Sequence, residues 1–135
     1  MALPPCHYGF QVYVNEGKLD LMWQQRSVDV FLGLPYDIAM YGLLLELLAK
    51  GHDLKPGKLI GQLGDCHIYN NHIDQATTLM YRNPDAYHCP VLQLDTIGVC
   101  INSQNEINIP SLDSMILHGY EHMGAIPAPL NVGKK

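Results

Sequence analysis

The sequence has no run of eighteen apolar residues, and its N-terminus carries no charged segment leading into an apolar stretch. Membrane-spanning and secretory readings are therefore both set aside. Positive charge is scarce: eight Lys and Arg against thirteen Asp and Glu leave a net charge of −5. A chain of this kind has no general affinity for polyanions, which argues against nucleic acid as a partner; an anionic ligand would need a local cationic cluster. Cysteine is sparse too, with four residues whose spacings suggest no stapled scaffold. Free thiols and a cytoplasmic location are the expectation. Cys6-His7, Cys66-His67 and His88-Cys89 are adjacent pairs, but neighbours on a strand face opposite sides and chelate poorly, so no metal is expected. Internal repeats and low-complexity tracts are missing as well.

What the chain does have is apolar content. At 47% hydrophobic over 135 residues it can build one domain with a sizeable core. Tyr8 to Val14 alternates as a strand, Asn15-Glu16-Gly17-Lys18 supplies turn chemistry, and Leu19 to Gln25 returns as the second arm of a hairpin. Asp37 to Lys50 reads as a helix, with Asp37 at its N-terminal boundary and Gly51 just past its end. Its apolar residues lie all round, which predicts a buried central helix with Met40 in the core, and Met80 and Met115 are also assigned there. Pro56-Gly57 marks a turn before a strand from Lys58 to Tyr69. A second helix runs from Asn71 to Tyr81, ended by Asn83-Pro84. Val91 to Ile97 and Met115 to Tyr120 are further strands, and from Met123 to Lys135 proline and glycine predict an irregular tail. The pattern is α+β with a mixed or antiparallel sheet.

Two segments carry chemistry. Leu3-Pro4-Pro5-Cys6-His7 presents a thiol on a backbone stiffened by two prolines. Gln25-Arg26-Ser27-Val28-Asp29 supplies a guanidinium, a hydroxyl and a carboxylate that could meet it. A thiol attacks as thiolate, a form that a nearby guanidinium favours. Taken alone, a cysteine of this kind is more commonly a buried structural one.

These segments resemble the thymidylate synthase family, and the resemblance continues through Phe31-Leu32-Gly33-Leu34-Pro35-Tyr36, Gly64-Asp65-Cys66-His67-Ile68-Tyr69-Asn70-Asn71-His72 and Ala128-Pro129. It runs from Met1 to about Val132 and weakens between Asn83 and Ser114. It implies a thymidylate synthase-like catalytic domain over 1–135, corresponding to the C-terminal portion of the family fold. It further implies folate-dependent one-carbon transfer to ring carbon 5 of a deoxypyrimidine monophosphate, with 5,10-methylenetetrahydrofolate as co-substrate. In the resemblance Cys6 is the nucleophile that adds to ring carbon 6. Arg26 and Ser27 hold the phosphate, with Arg26 also close to the thiol. Asp29 contacts the folate ring, and His67 with Tyr69 binds the deoxyribose hydroxyl. His7, His72, His118 and His122 receive no role.

The chain departs from the family pattern at two places. After the Leu-Pro-aromatic run the family usually carries asparagine, whereas Asp37 stands here, as in the sister deoxycytidylate hydroxymethylases. An amide can donate to the uracil carbonyl, but a carboxylate only accepts and so suits the cytosine amino group. Asp37 is thus expected to select dCMP over dUMP, although it would also serve as a helix cap. The second departure is length: the family's N-terminal half is missing, and Gly133-Lys134-Lys135 extends beyond the usual end. A homodimer, or a separately encoded N-terminal half, is the implied partner, and a bacteriophage origin is implied by the dCMP branch. An ordinary thymidylate synthase acting on dUMP, and a split half that is inactive alone, are the competing readings.

Overall fold

The computed structural model describes residues 4–95 and 97–131. Leu3 of the Pro-Pro-Cys segment and the Gly133-Lys134-Lys135 extension lie outside the described residues.

Strand β1 (His7–Asn15) turns through Glu16 and Gly17 into β2 (Lys18–Asp29), and the two pair antiparallel. Both turn residues have positive φ, 49° and 75°, the geometry of a two-residue hairpin whose twist matches that of its strands. Helix α1 (Leu34–Gly51) then carries the chain back to β3 (Lys55–His67), which pairs parallel to β2. The result is a mixed three-stranded sheet in the order β1-β2-β3.

One face of β2 builds the core. Leu19, Leu21 and Trp23 alternate inward, as a half-buried strand must, and meet Tyr41, Leu45 and Ala49 of α1. Leu59 and Leu63 of β3 pack against the same cluster. Trp23 lies flat against Tyr41 at 5.1 Å between ring centroids, and it also lies over Gly61, where a Cβ would come within 2.6 Å of the indole.

Several sequence expectations shift here. Helix α1 starts at Leu34, three residues before Asp37, because Pro35 fits the first turn, where no amide hydrogen is needed. Asp37 is therefore inside the first turn and caps no helix amide. Gly51 belongs to the helix, which is left through His52 and a left-handed Asp53. Pro56 and Gly57 lie inside β3 rather than in a turn before it. β3 is an edge strand, so a proline near its start costs no ladder bond, and Gly57 permits close approach to the carbonyl of Leu19.

Helix α1 buries Tyr41, Leu45, Leu47 and Ala49, while Tyr36, Ile38 and Met40 in its first half stay exposed. Met40 is thus not core in this chain, and Met80 is 84% exposed.

Beyond β3 the elements are shorter. The single helix expected from Asn71 to Tyr81 is a 3-10 turn (Asn70–His72) followed by α2 (Ile73–Met80). Strand β4 (Val91–Leu94) pairs antiparallel with β7 (Met115–His118), each shorter than the sequence pattern suggested. Between them β5 (Cys100–Ile101) and β6 (Ile107–Asn108) form a small ladder that the pattern did not reveal. From Met123 to Asn131 the tail has neither helix nor strand.

Candidate active site

The topology gathers the motifs at one end of the sheet. β1 begins where β2 ends because they are antiparallel, and β3 ends there because it runs parallel to β2. The first turn of α1 follows β2 after a short connection, so Asp37 arrives at the same end. Asp29 shapes that connection: its Oδ1 accepts the amides of Phe31 (3.0 Å) and Leu32 (3.1 Å), and its carbonyl accepts the amide of Gly33. One carboxylate oxygen of Asp29 is thus committed to the turn.

Cys6 and Arg26 meet. The backbone amide of Arg26 donates to the Cys6 carbonyl, and its Nη2 lies 3.8 Å from Sγ. The same guanidinium folds back on the proline segment, donating from Nε to the Pro5 carbonyl (3.0 Å) and from Nη2 to the Pro4 carbonyl (2.6 Å). The side chain is exposed, and its remaining donors are open to a ligand. The two prolines, which cannot donate themselves, thus supply the carbonyls that hold the cation beside the thiol.

A second cluster surrounds Asp37. Gln25 continues the inward alternation of Leu19, Leu21 and Trp23 and is only 3% exposed. Its Nε2 donates to Asp37 Oδ2 at 2.9 Å and to the Ser27 carbonyl at 3.1 Å, while its Oε1 accepts from Trp23 Nε1 at 3.1 Å. His7 Nε2 stands 3.3 Å from Asp37 Oδ1, and its Nδ1 stands 3.3 Å from the Tyr41 hydroxyl. Burial first, and the Asp37 carboxylate second, push the Tyr41 hydroxyl above its ordinary value of 10.0.

His67 and Tyr69 form a third cluster. β3 stops at His67, so Tyr69 lies beyond the strand rather than on it. The two rings still meet edge to face at 4.9 Å. Tyr69 in turn touches His72, which is fully buried and ties the tail down through Nε2 to the Pro129 carbonyl at 2.7 Å. Asn71 and Asn131 exchange side-chain amide bonds at 2.7 and 3.4 Å beside it. By register Ser27 lies opposite Asp65, and Asp29 opposite His67, so these residues share a face. Among the described residues no hydrogen bond or ion pair links the Cys6–Arg26 pair to His67 or Tyr69.

Beside the Asp29 turn, a cleft of about 600 Å³ opens between the start of α1, the end of α2 and the tail. Phe31, Leu32, Tyr36, Arg82, Tyr120 and Ile126 are among its walls, which are mainly apolar. Among the described residues no three His, Cys, Asp or Glu side chains come together as a metal set.

Sequence reasoning passed over His7, Gln25, Tyr41 and His72. Gln25 did leave a signal, a polar residue on the apolar phase of β2, and such a residue must find hydrogen-bond partners inside. His72 left none, since nothing in the local pattern marks a buried histidine.

A sequence profile described as thymidylate synthase matches residues 1–132. A relative named "Probable thymidylate synthase", from Escherichia phage T5, is 61% identical over 85 residues, which cover 62% of this chain and 30% of that protein. The chain therefore spans well under half the length of the curated relative it matches. With the profile covering almost all of its residues, the chain belongs to the thymidylate synthase family.

Proposed function

We propose that this chain carries the nucleophile and the base-reading residues for one-carbon transfer to ring carbon 5 of a deoxypyrimidine monophosphate, with dCMP preferred. The observation that carries this reading is Asp37, a carboxylate with one oxygen on the Gln25 amide and the other beside His7. A residue held in this way is built to accept hydrogen bonds, and cytosine offers an amino group where uracil offers a carbonyl.

In this reading the Cys6 thiolate adds to ring carbon 6 and shifts the electron pair to carbon 5. Carbon 5 then bonds to the methylene carbon of methylenetetrahydrofolate as one of that carbon's two bonds to nitrogen breaks, and gives up its proton to water. Breaking of the second carbon–nitrogen bond releases tetrahydrofolate and leaves an exocyclic methylene. That methylene takes up water in hydroxymethylation or a hydride from the tetrahydrofolate in methylation. Elimination of the thiolate restores the ring, so covalent addition splits one difficult substitution into accessible steps. Arg26 serves the thiolate and, with Ser27, the phosphate. His67 and Tyr69 take the deoxyribose hydroxyl. The 600 Å³ cleft next to Asp29 suits the folate ring, with the uncommitted oxygen of Asp29 as acceptor. Hydroxymethylation, in which water takes the exocyclic methylene, is favoured over methylation because Asp37 belongs with the dCMP branch.

Uracil opposite Asp37 would set carbonyl against carboxylate, a mismatch costing about 1–3 kcal/mol, or roughly ten- to a hundredfold in preference. Tritium release from carbon-5-labelled dCMP and dUMP, with methylenetetrahydrofolate present, tests this. Release from dCMP in preference to dUMP supports the reading. Release from dUMP alone, with dihydrofolate as product, makes the chain an ordinary thymidylate synthase, in keeping with the name of its phage relative.

A second reading is favoured by a specific observation. Tyr8, Tyr13 and Ile60 on the sheet, and Tyr36, Ile38 and Met40 on α1, are all exposed apolar groups. A surface of this kind suits a second copy or a separately encoded N-terminal half that would enclose α1 as a central helix. That partner would add cations to a phosphate site in which Arg26 is already shared with Pro4 and Pro5. Silence with both nucleotides, reversed by adding such a partner, would establish it.

A further inference from the structure

The side chains around Asp37 fix more than its position, because they also fix which atoms it can present. Gln25 cannot reverse its amide. Trp23 Nε1–H points at Oε1, while the Ser27 carbonyl receives Nε2. A reversed amide would set donor against donor at Trp23 and acceptor against acceptor at Ser27 inside a buried site, each a costly arrangement. Gln25 therefore always offers an N–H to residue 37.

On the other side the direction is set by Tyr41. Its ring is buried and stacked on Trp23, and its hydroxyl keeps its proton at neutral pH. It can donate that proton to His7 Nδ1, which leaves Nε2 as the protonated nitrogen, aimed at Asp37 Oδ1. Donors then face both oxygens of residue 37. Asparagine could satisfy Gln25 only by turning its oxygen there and its NH2 toward His7. Nε2 would then have to be the acceptor, with the imidazole proton on Nδ1 and Tyr41 receiving it.

We propose that His7, oriented by Tyr41, is a positioning residue for base selection: its Nε2–H tautomer keeps position 37 acceptor-only toward the pyrimidine, and the tautomer follows residue 37. The selectivity part of this proposal rests on the dCMP reading above, whereas the tautomer part does not.

Long-range ¹H–¹⁵N correlation spectra of histidine-labelled protein read the tautomer, with a His7→Gln spectrum to assign the signals. The wild type is expected to carry a proton on Nε2 of His7, and Asp37→Asn to move it to Nδ1. A wild-type His7 protonated on Nδ1 alone, or a tautomer unchanged by Asp37→Asn, overturns the proposal. Calorimetric titration with dCMP and dUMP reads selectivity. Tyr41→Phe is expected to lower the dCMP-to-dUMP affinity ratio about three- to tenfold, the loss of one modest hydrogen bond. A ratio unchanged in Tyr41→Phe, with the wild-type tautomer as expected, overturns the selectivity role alone. Binding of neither nucleotide would sink the substrate reading and the selectivity role with it, while the spectra still decide the tautomer.

Discussion

The unit from His7 to His67 and the stretch that follows it differ in how they are held. In the first, Leu21 and Val28 are fully buried and Trp23 nearly so, and the strand-helix-strand order lets one helix cover one sheet face. In the second, His72 and Gly98 are the buried residues among those described, and the β4–β7 and β5–β6 ladders do not join the main sheet. The first region closes its own hydrophobic ledger on one face, whereas the second leans on local hydrogen bonds and single anchors such as His72 to Pro129. The proposed nucleophile and base-reading residues belong to the first region. The end of α2 and the tail, which wall the cleft beside the Asp29 turn, belong to the second.

The largest effect expected is on chemistry. Cys6→Ser should lower tritium release by at least about 10³-fold while leaving the urea midpoint nearly unchanged, since the thiol is not a core group. Substantial residual turnover would place the nucleophile elsewhere.

The contrast in packing is tested by stability. Leu21→Ala should cost about 3–5 kcal/mol in urea unfolding, as a fully buried leucine that leaves a cavity. Leu117→Ala on β7, about half exposed, should cost about 1 kcal/mol or less. Equal costs would erase the distinction between the two regions. Between these values, Gly61→Ala should cost about 1–3 kcal/mol, because the added methyl meets the Trp23 ring.

Alkaline pH gives a smaller effect that is specific to the first region. Tyr41 holds its proton in the fold at pH values where the unfolded chain has lost it, because burial and Asp37 raise its hydroxyl above 10.0. Its contribution to stability is whole below about pH 10 and falls as pH rises through the folded value. Urea midpoints for Tyr41→Phe should therefore decline less steeply across that range than those of the wild type. A parallel decline would remove Tyr41 as a source of the alkaline loss.

Least of all, Asn131→Ala should cost roughly 1 kcal/mol or less of global stability, since its amide pair with Asn71 is exposed. It should instead increase proteolytic cleavage of the tail, and an unchanged cleavage rate would mean that His72 alone holds it.

How much of this was legible beforehand follows the same division. The hairpin was written in the alternation of β1 and β2 around Glu16-Gly17, and the helix in its leucines, because those signals are local. The helix start was misplaced because Asp37 is a good cap by type, yet Pro35 had already opened the helix one turn earlier. Pro56-Gly57 read as a turn because only the sheet order reveals that β3 is an edge. At the site, the nearness of Arg26 to Cys6 could be inferred from motif chemistry. The His7–Asp37–Gln25 cluster could not, because it joins three elements through side chains whose partners are far apart in sequence. In the second region short strands and 3-10 turns have weak periodicity, so the β5–β6 ladder left no readable trace.

The most direct test of the central claim is calorimetric binding of dCMP and dUMP to the wild type and to Asp37→Asn. The account predicts a wild-type preference for dCMP of about ten- to a hundredfold, shifted toward dUMP in the variant. The same nucleotide preference in both proteins would contradict it and leave Asp37 a structural residue of the first helical turn.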